Sequence, residues 1–341
     1  MKRIALALLV LVLIIGTLGC QPADKTEEKT TEEKTTEETS VDINLTFASG
    51  TSGGTLEVVA QGIAEAVRKT YPSSVITVIP GGTVANIQRV SSGEADIGIA
   101  YTSDVKAAHG GNEPFTEKYP GVRIIAATHA TVAQHVIRKG VGYDSLTDIV
   151  ENKYPLKVGF HAKGTGPEFF ARKLFEFHGA DAATLESWGG KWVNPGPGDA
   201  ANLLKDGQLD SFERSGGLPD ATIMELAINH DITLLKYDPE TIKEVCEEFG
   251  YVEGTIKAGT YTFLKEDVAT LVAPCVIVVD ENLPDEVAYA LAKSLHEQLD
   301  YMKLVHASVK EYQSEPDALV NGLFAFHPGA EKYFKEVGLL K

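Results

Sequence analysis

One pattern occurs twice in this 341-residue chain, and it restricts the possible folds more than composition does. Gly50-Thr51 follows the alternating run INLTFA and precedes LEVVAQGIAEAVRKTY, whose Leu56, Val59, Ile63 and Val67 share one helical face. Gly164-Thr165 follows LKVGF and precedes the amphipathic EFFARKLFEFHGA. Downstream of each turn comes a short helical run ending in a G-x-x-D step, Gly93 with Asp96 and Gly207 with Asp210. All four positions recur at one offset, 114 residues. SVITVIP and ADIGIAY read as strands and VANIQRVSSG as a short helix, so each copy is a β-α-β-α-β unit with a largely parallel sheet. Two copies predict two similar α/β lobes facing each other.

Facing lobes give the glycines two possible uses. Ligands of parallel α/β sheets bind beyond the carboxyl ends of the strands, where helix N-termini carry free N–H groups and positive dipole ends. Two Gly-Thr turns across a cleft would then hold a small anion, most naturally a carboxylate. Alternatively, Gly50-Thr51-Ser52-Gly53-Gly54 fits the G-x-S-x-G nucleophile elbow, with Ser52 attacking an ester. A triad also needs a histidine and an acid, and His296, His306 and His327 lie in helical or terminal segments without a surrounding signature. At the common offset Gly166 stands where Ser52 does, so the turn does not depend on the hydroxyl. Ser52 is read as a hydrogen-bond donor, and the secreted hydrolase is kept as an alternative.

The first residues concern location. Lys2 and Arg3, an apolar run over 4–18 and Gly19-Cys20 describe a secretory signal peptide over 1–19, too short to span a bilayer. TLGC is similar to a bacterial lipobox, so Cys20 is a candidate for lipidation and anchoring to the outer membrane face. Residues 21–40, an approximate TEEKT repeat with seven acidic and three basic residues, read as a disordered tether within the 20–40 segment. The whole chain has 31 Lys+Arg against 48 Asp+Glu, a formal charge of -17, which disfavours nucleic acid or anionic headgroups as partners. Cys246 and Cys275 either pair or stay as two buried thiols. No metal-ligand spacing and no cofactor motif stands out; neither is expected.

ASGTSGGT, GGTVANIQRVSSGEADIGIA, GTGPEFFARKL, IKAGTY and FHPGAEKYFKEVG together resemble the TAXI family, the solute-binding subunits of one branch of TRAP transporters. The resemblance implies a type II periplasmic-binding-protein fold: two α/β lobes, a hinge crossed by the chain, and a ligand enclosed in the cleft. It also implies a membrane permease partner driven by an ion gradient, and glutamate-like amino acids or dicarboxylates as ligands. On this basis residues 41–132 form the first lobe, 133–262 the second, and 263–341 the return to the first with C-terminal helices. The chain departs from the family where Leu56-Glu57-Val58 replaces aromatic residues after the first turn, at Ala100-Tyr101-Thr102-Ser103, and at Glu213 and Arg214 in SFERSGG.

Candidate ligand-binding residues cluster at the ends of these units. Gly50, Thr51, Ser52 and Gly53 form the first turn, and Thr165 and Gly166 the second. Thr83, Val84 and Asn86 open the second helix, where Thr83 also suits an ordinary N-cap. Tyr101 ends a strand at the cleft. Arg214, followed by Ser215 and Gly216, could grip a carboxylate bidentately or pair with Glu213. His129 lies near the first crossover and is either packing or site; Trp188 and Trp192 either line the pocket or cap lobe two. A ligand-sensing subunit of a signalling receptor would share fold and compartment with a transporter subunit.

Overall fold

The protein is described by a computed structural model covering residues 43–309 and 325–340. The leader 1–19, Cys20 and the tether lie outside those residues. The first lobe opens with β1 (Asn44–Ala48), α1 (Thr55–Thr70), β2 (Val75–Ile79), α2 (Thr83–Ser92), β3 (Ile97–Tyr101), α3 (Thr102–Gly110) and β4 (Val122–Val132). The second contains β5 (His135–Arg138), α4 (Leu146–Glu151), β6 (Lys157–Gly159), α5 (Gly166–Phe177), α6 (Ala182–Ser187), β7 (Lys191–Val193), α7 (Pro197–Lys205), β8 (Ser211–Glu213), α8 (Ala221–Asn229), β9 (Ile232–Leu234) and α9 (Pro239–Phe249). The chain then returns through β10 (Val252–Ile256), β11 (Val268–Asp280), α10 (Asp285–Glu297), α11 (Leu299–Val305) and α12 (Pro328–Glu336).

Two sheets result, as the repeated unit requires. One has six strands in the order β10-β11-β3-β1-β2 with β4 on β11, and the other five in the order β7-β6-β8-β5-β9. In each, the first strand of the unit is central and parallel to both neighbours, and an antiparallel strand closes the β3 or β8 side. Strand alternation sorts side chains between layers. Ile277 and Val279 enter a core with α1, α10 and α12, whereas Val276 and Val278 face α2 and α3. Val136 and Ile137 likewise point into different cores of the second lobe.

The G-x-x-D step has one structural meaning in both copies. Gly93 and Gly207 end or follow their helices at φ 74° and 71°, a left-handed conformation natural to glycine. Asp96 Oδ2 accepts from Thr46 N–H (2.7 Å) and Asp210 Oδ2 from Lys157 N–H (3.0 Å), each pinning the central strand. The turns obey a different offset. Gly53 (φ 76°) matches Gly164 (φ 82°), and the helix N-caps are Gly54 and Thr165, so turn equivalents are 111 residues apart. Lobe two has three more residues between turn and step, around α6. Gly166 is therefore the counterpart of Thr55, and not of Ser52 as the uniform 114 offset implies.

The lobes are joined by a long antiparallel ribbon of β4 and β11. Ile277 and Val279 belong to the first lobe's core, while Leu271, Ala273 and Cys275 belong to the second's. The ladder slips between Pro274 and Val276 and between Ile277 and Val278. β10 hydrogen-bonds along the first half of β11, yet Ile256 packs in the second lobe. Cys246 and Cys275 are both buried free thiols.

Candidate functional site: the interlobe cleft

β1 and β6 end toward each other, and the turns and helix starts beyond them enclose a cavity of about 30 Å³. Lobe one supplies Gly50, Thr51, Gly54, Thr55, Leu56, Gly82, Thr83, Tyr101 and Thr131. Lobe two supplies His161, Thr165, Pro167, Arg214, Ser215 and Gly216. The lobes touch directly here: Gly166 N–H donates to Thr83 Oγ1 at 2.9 Å. Glycine makes this approach possible. A Cβ on Gly166 would stand 2.4 Å from Tyr101 Cε2, and one on Gly82 2.9 Å from Thr165 Cγ2.

The helix ends differ in what they offer. α1 starts at Gly54, which has no side chain to cap it, and Thr55 and Leu56 N–H have no protein acceptor among the described residues. α5 is already occupied: Thr165 Oγ1 accepts from Glu168 N–H, Gly166 N–H is held by Thr83, and Pro167 has no N–H. The two turns are thus unequal, against the expectation of symmetric anion-holding turns. The open donors lie on lobe one.

Charge comes from lobe two. Arg214 lines the cleft with Nε 3.0 Å from Asp220 Oδ2, and its two terminal nitrogens have no protein partner among the described residues. Asp220 is itself fixed, since its Oδ1 caps α8 through Thr222 and Ile223 N–H. Arg214 does not pair with Glu213, because successive residues of an extended chain send their side chains to opposite sides. Glu213 instead accepts from the Ser215 hydroxyl and lies 3.0 Å from His161 Nε2. That last approach is close but does not meet hydrogen-bond geometry, leaving Nε2 and Oε2 each without a hydrogen bond. Tyr101 Oη, fully buried at the cleft wall, is likewise without one. Burial pushes the Tyr101 hydroxyl well above its ordinary value, so it stays protonated, a neutral donor. Positive guanidinium, phenol, and helix N–H groups converging on a small space suit a carboxylate.

Of the residues singled out from sequence, Gly50, Thr51, Thr83, Tyr101, Thr165, Arg214, Ser215 and Gly216 line the cavity, and Gly166 forms its interlobe contact. Ser52 and Gly53 do not line it: both are exposed, and Gly53 N–H is held by Glu57 of its own helix at 2.7 Å. Asn86 is completely engaged inside lobe one, donating to Ser49 and Ile99 carbonyls at 2.8 Å each and accepting from Gly82 N–H. Val84 is core. His129 is buried beside Thr128 and outside the lining; burial lowers its pKa to about 3, which keeps it neutral. Trp192 stacks on Phe160 at 4.0 Å and, like Trp188, packs on the lobe-two core. Sequence reasoning misses Gly54, Thr55, Leu56, Gly82, Thr131, His161 and Pro167. His161 is discoverable, since it stands just beyond the carboxyl end of β6. Thr131 is not, because its place depends on where β4 crosses between lobes.

Among solved structures, the fold is similar to MatC from Rhodopseudomonas palustris with bound malate, at 14% identity over 88% of this chain and 99% of that one, TM-score 0.56. It also aligns with the periplasmic binding protein BugD at 16% identity over 88% of this chain and 98% of that one, TM-score 0.47. At that identity the likeness to MatC concerns the fold alone, a two-lobed α/β architecture. The sequence itself is more specific, matching one family over residues 47–338. The chain belongs to the NMT1-like family.

Proposed function

We propose that this protein is an extracytoplasmic solute-binding subunit that captures a small organic anion and delivers it to a membrane permease. The observation that carries the reading is the Arg214 guanidinium, held by Asp220 and facing the open N–H groups of α1 across the cleft. A guanidinium already oriented on one lobe and helix donors on the other engage a carboxylate together only when the lobes are closed. The malate bound by MatC is compatible with this chemistry. The ligand class is a glutamate-like amino acid or dicarboxylate; it exceeds the present cavity of about 30 Å³, so the lobes must part further to admit it. The TAXI motifs of the sequence support a TRAP permease driven by an ion gradient as partner, and the lipobox-like TLGC supports attachment through a lipid on Cys20.

Calorimetric titration with glutamate, aspartate, malate and succinate tests the ligand class. Saturable binding of at least one, weakened in Arg214→Ala, is expected. Binding of none, together with no small anion retained by the native protein in mass spectrometry, would remove the reading. Cys20→Ala is expected to release the protein from membranes or leave the leader uncleaved; unchanged fractionation and mass would remove the lipid anchor.

A further inference from the structure

Behind the cleft lies a larger cavity, about 310 Å³, between α3, α5 and the end of α9. Its walls come from both lobes: Ser103, Asp104 and Lys106 on one side, Phe169, Phe249 and Tyr251 on the other, with Glu113 and Glu248 at the rim. Its size is that of a small-molecule site, and its lining mixes polar and charged side chains with the rings of Phe169, Phe249 and Tyr251.

Three polar side chains of this lining are at least nine-tenths buried and incompletely matched. Ser103 Oγ and Tyr251 Oη lie beside each other, in reach of a mutual contact, and neither has any other hydrogen-bond partner among the described residues. Asp104 is 1% exposed; its Oδ2 accepts from Tyr101 N–H at a long 3.3 Å, with the Thr83 hydroxyl also close. A buried carboxylate without a cationic partner, beside two unmatched hydroxyls, is costly to maintain. Among the lining residues Asp104, Glu113 and Glu248 outnumber Lys106, while Arg172 at 3.5 Å and Lys173 pair with Glu113 from outside. Glu113 is partly committed to Lys173 at 2.8 Å, and the Lys106 chain runs along Gly250, where a Cβ would stand 3.1 Å from its Cδ.

We infer that this rear cavity is a second binding site, for an organic ammonium with an apolar body. A primary ammonium has three N–H donors, and Asp104, Ser103 and Tyr251 supply three acceptors. The rings of Phe169, Phe249 and Tyr251 take the apolar part, with Lys173 already lying 5.6 and 5.4 Å from the centres of the two phenylalanine rings. Since α3 belongs to one lobe and α5 and α9 to the other, an occupant contacts both lobes independently of the cleft.

The probe is 2-phenylethylammonium at neutral pH, with 3-phenylpropionate as the anionic control, titrated by calorimetry and mapped by saturation-transfer NMR. Saturable binding of the amine at the rear cavity is expected, whereas any binding of the acid is confined to the cleft and is lost in Arg214→Ala. Tyr251→Phe and Asp104→Asn each weaken amine binding by roughly tenfold or more, the loss of a hydrogen bond to a charged group, while Arg214→Ala leaves it unchanged. Either no saturable amine binding, or equal affinity for the carboxylate in Arg214→Ala, or an amine affinity indifferent to both rear-cavity substitutions overturns the inference.

Discussion

At the residue scale, Arg214 and Asp104 represent opposite arrangements of charge. Arg214 is partly immobilised by Asp220 before any ligand arrives, so little side-chain entropy is lost when its outer nitrogens engage a carboxylate. Arg214→Ala is therefore expected to weaken anion binding by roughly tenfold or more, and Arg214→Lys by less than Ala, because lysine keeps the charge but not the planar fork. Equal affinity of wild type and Arg214→Ala in calorimetry would reduce Arg214 to a partner of Asp220. Asp104 is the contrary case. Burial pushes its carboxyl up to about 6, opposed by the Thr83 hydroxyl and Tyr101 N–H. A folded-state value above the unfolded one means that folding is favoured at low pH and loses that contribution as pH rises through 6. The loss amounts to about 3 kcal/mol above that pH. Asp104→Asn is expected to raise the urea midpoint at pH 7.5 and to leave it nearly unchanged at pH 4. A destabilisation equal at both pH values would contradict this electrostatic origin. Neither environment is legible in the sequence: Arg214 is a recognisable candidate there, but its partner lies six residues away, beyond a turn.

At the element scale, the strand-turn-helix units are legible because their periodicity and glycines are local properties. The G-x-x-D step reads in sequence as a marker of duplication, and its role as a strand clamp emerges only from the hydrogen bonds to Thr46 and Lys157. The three extra residues around α6 hide the true equivalence of the turns, since sequence matching preserves one offset through an insertion unless the helix caps are known. Two glycine substitutions separate the roles. Gly166→Ala puts a methyl into Tyr101 and Thr83 across the lobe interface, so it is expected to hold the lobes apart and abolish anion binding while the fold persists. Gly53→Ala meets nothing within 4 Å but keeps φ at 76°, so it is expected to cost roughly 1–2 kcal/mol of stability and little affinity. Circular dichroism with calorimetry reads both. Normal affinity in Gly166→Ala would mean that binding does not require the lobes to meet at α5.

For the whole molecule, the two-lobed architecture is legible from the doubled α/β unit, whereas the joint between lobes is not. Sequence places the first crossover near His129, but only long-range pairing makes β4 and β11 one ribbon that serves both cores. Bending in that ribbon, at the ladder slips around Pro274, is expected to allow the lobes to separate while each keeps its own core. A ligand that touches both lobes then favours the closed form by its differential affinity for closed over open. Hydrogen exchange should accordingly slow at Thr55, Leu56 and Gly166 on binding, and not at the sheet centres, which are protected in both forms. The most direct measurement is small-angle scattering of the wild type with and without saturating ligand, beside Gly166→Ala. Closure requires the radius of gyration to fall in the wild type and to stay at the larger value in the variant. An unchanged radius in the saturated wild type would contradict the closing cleft.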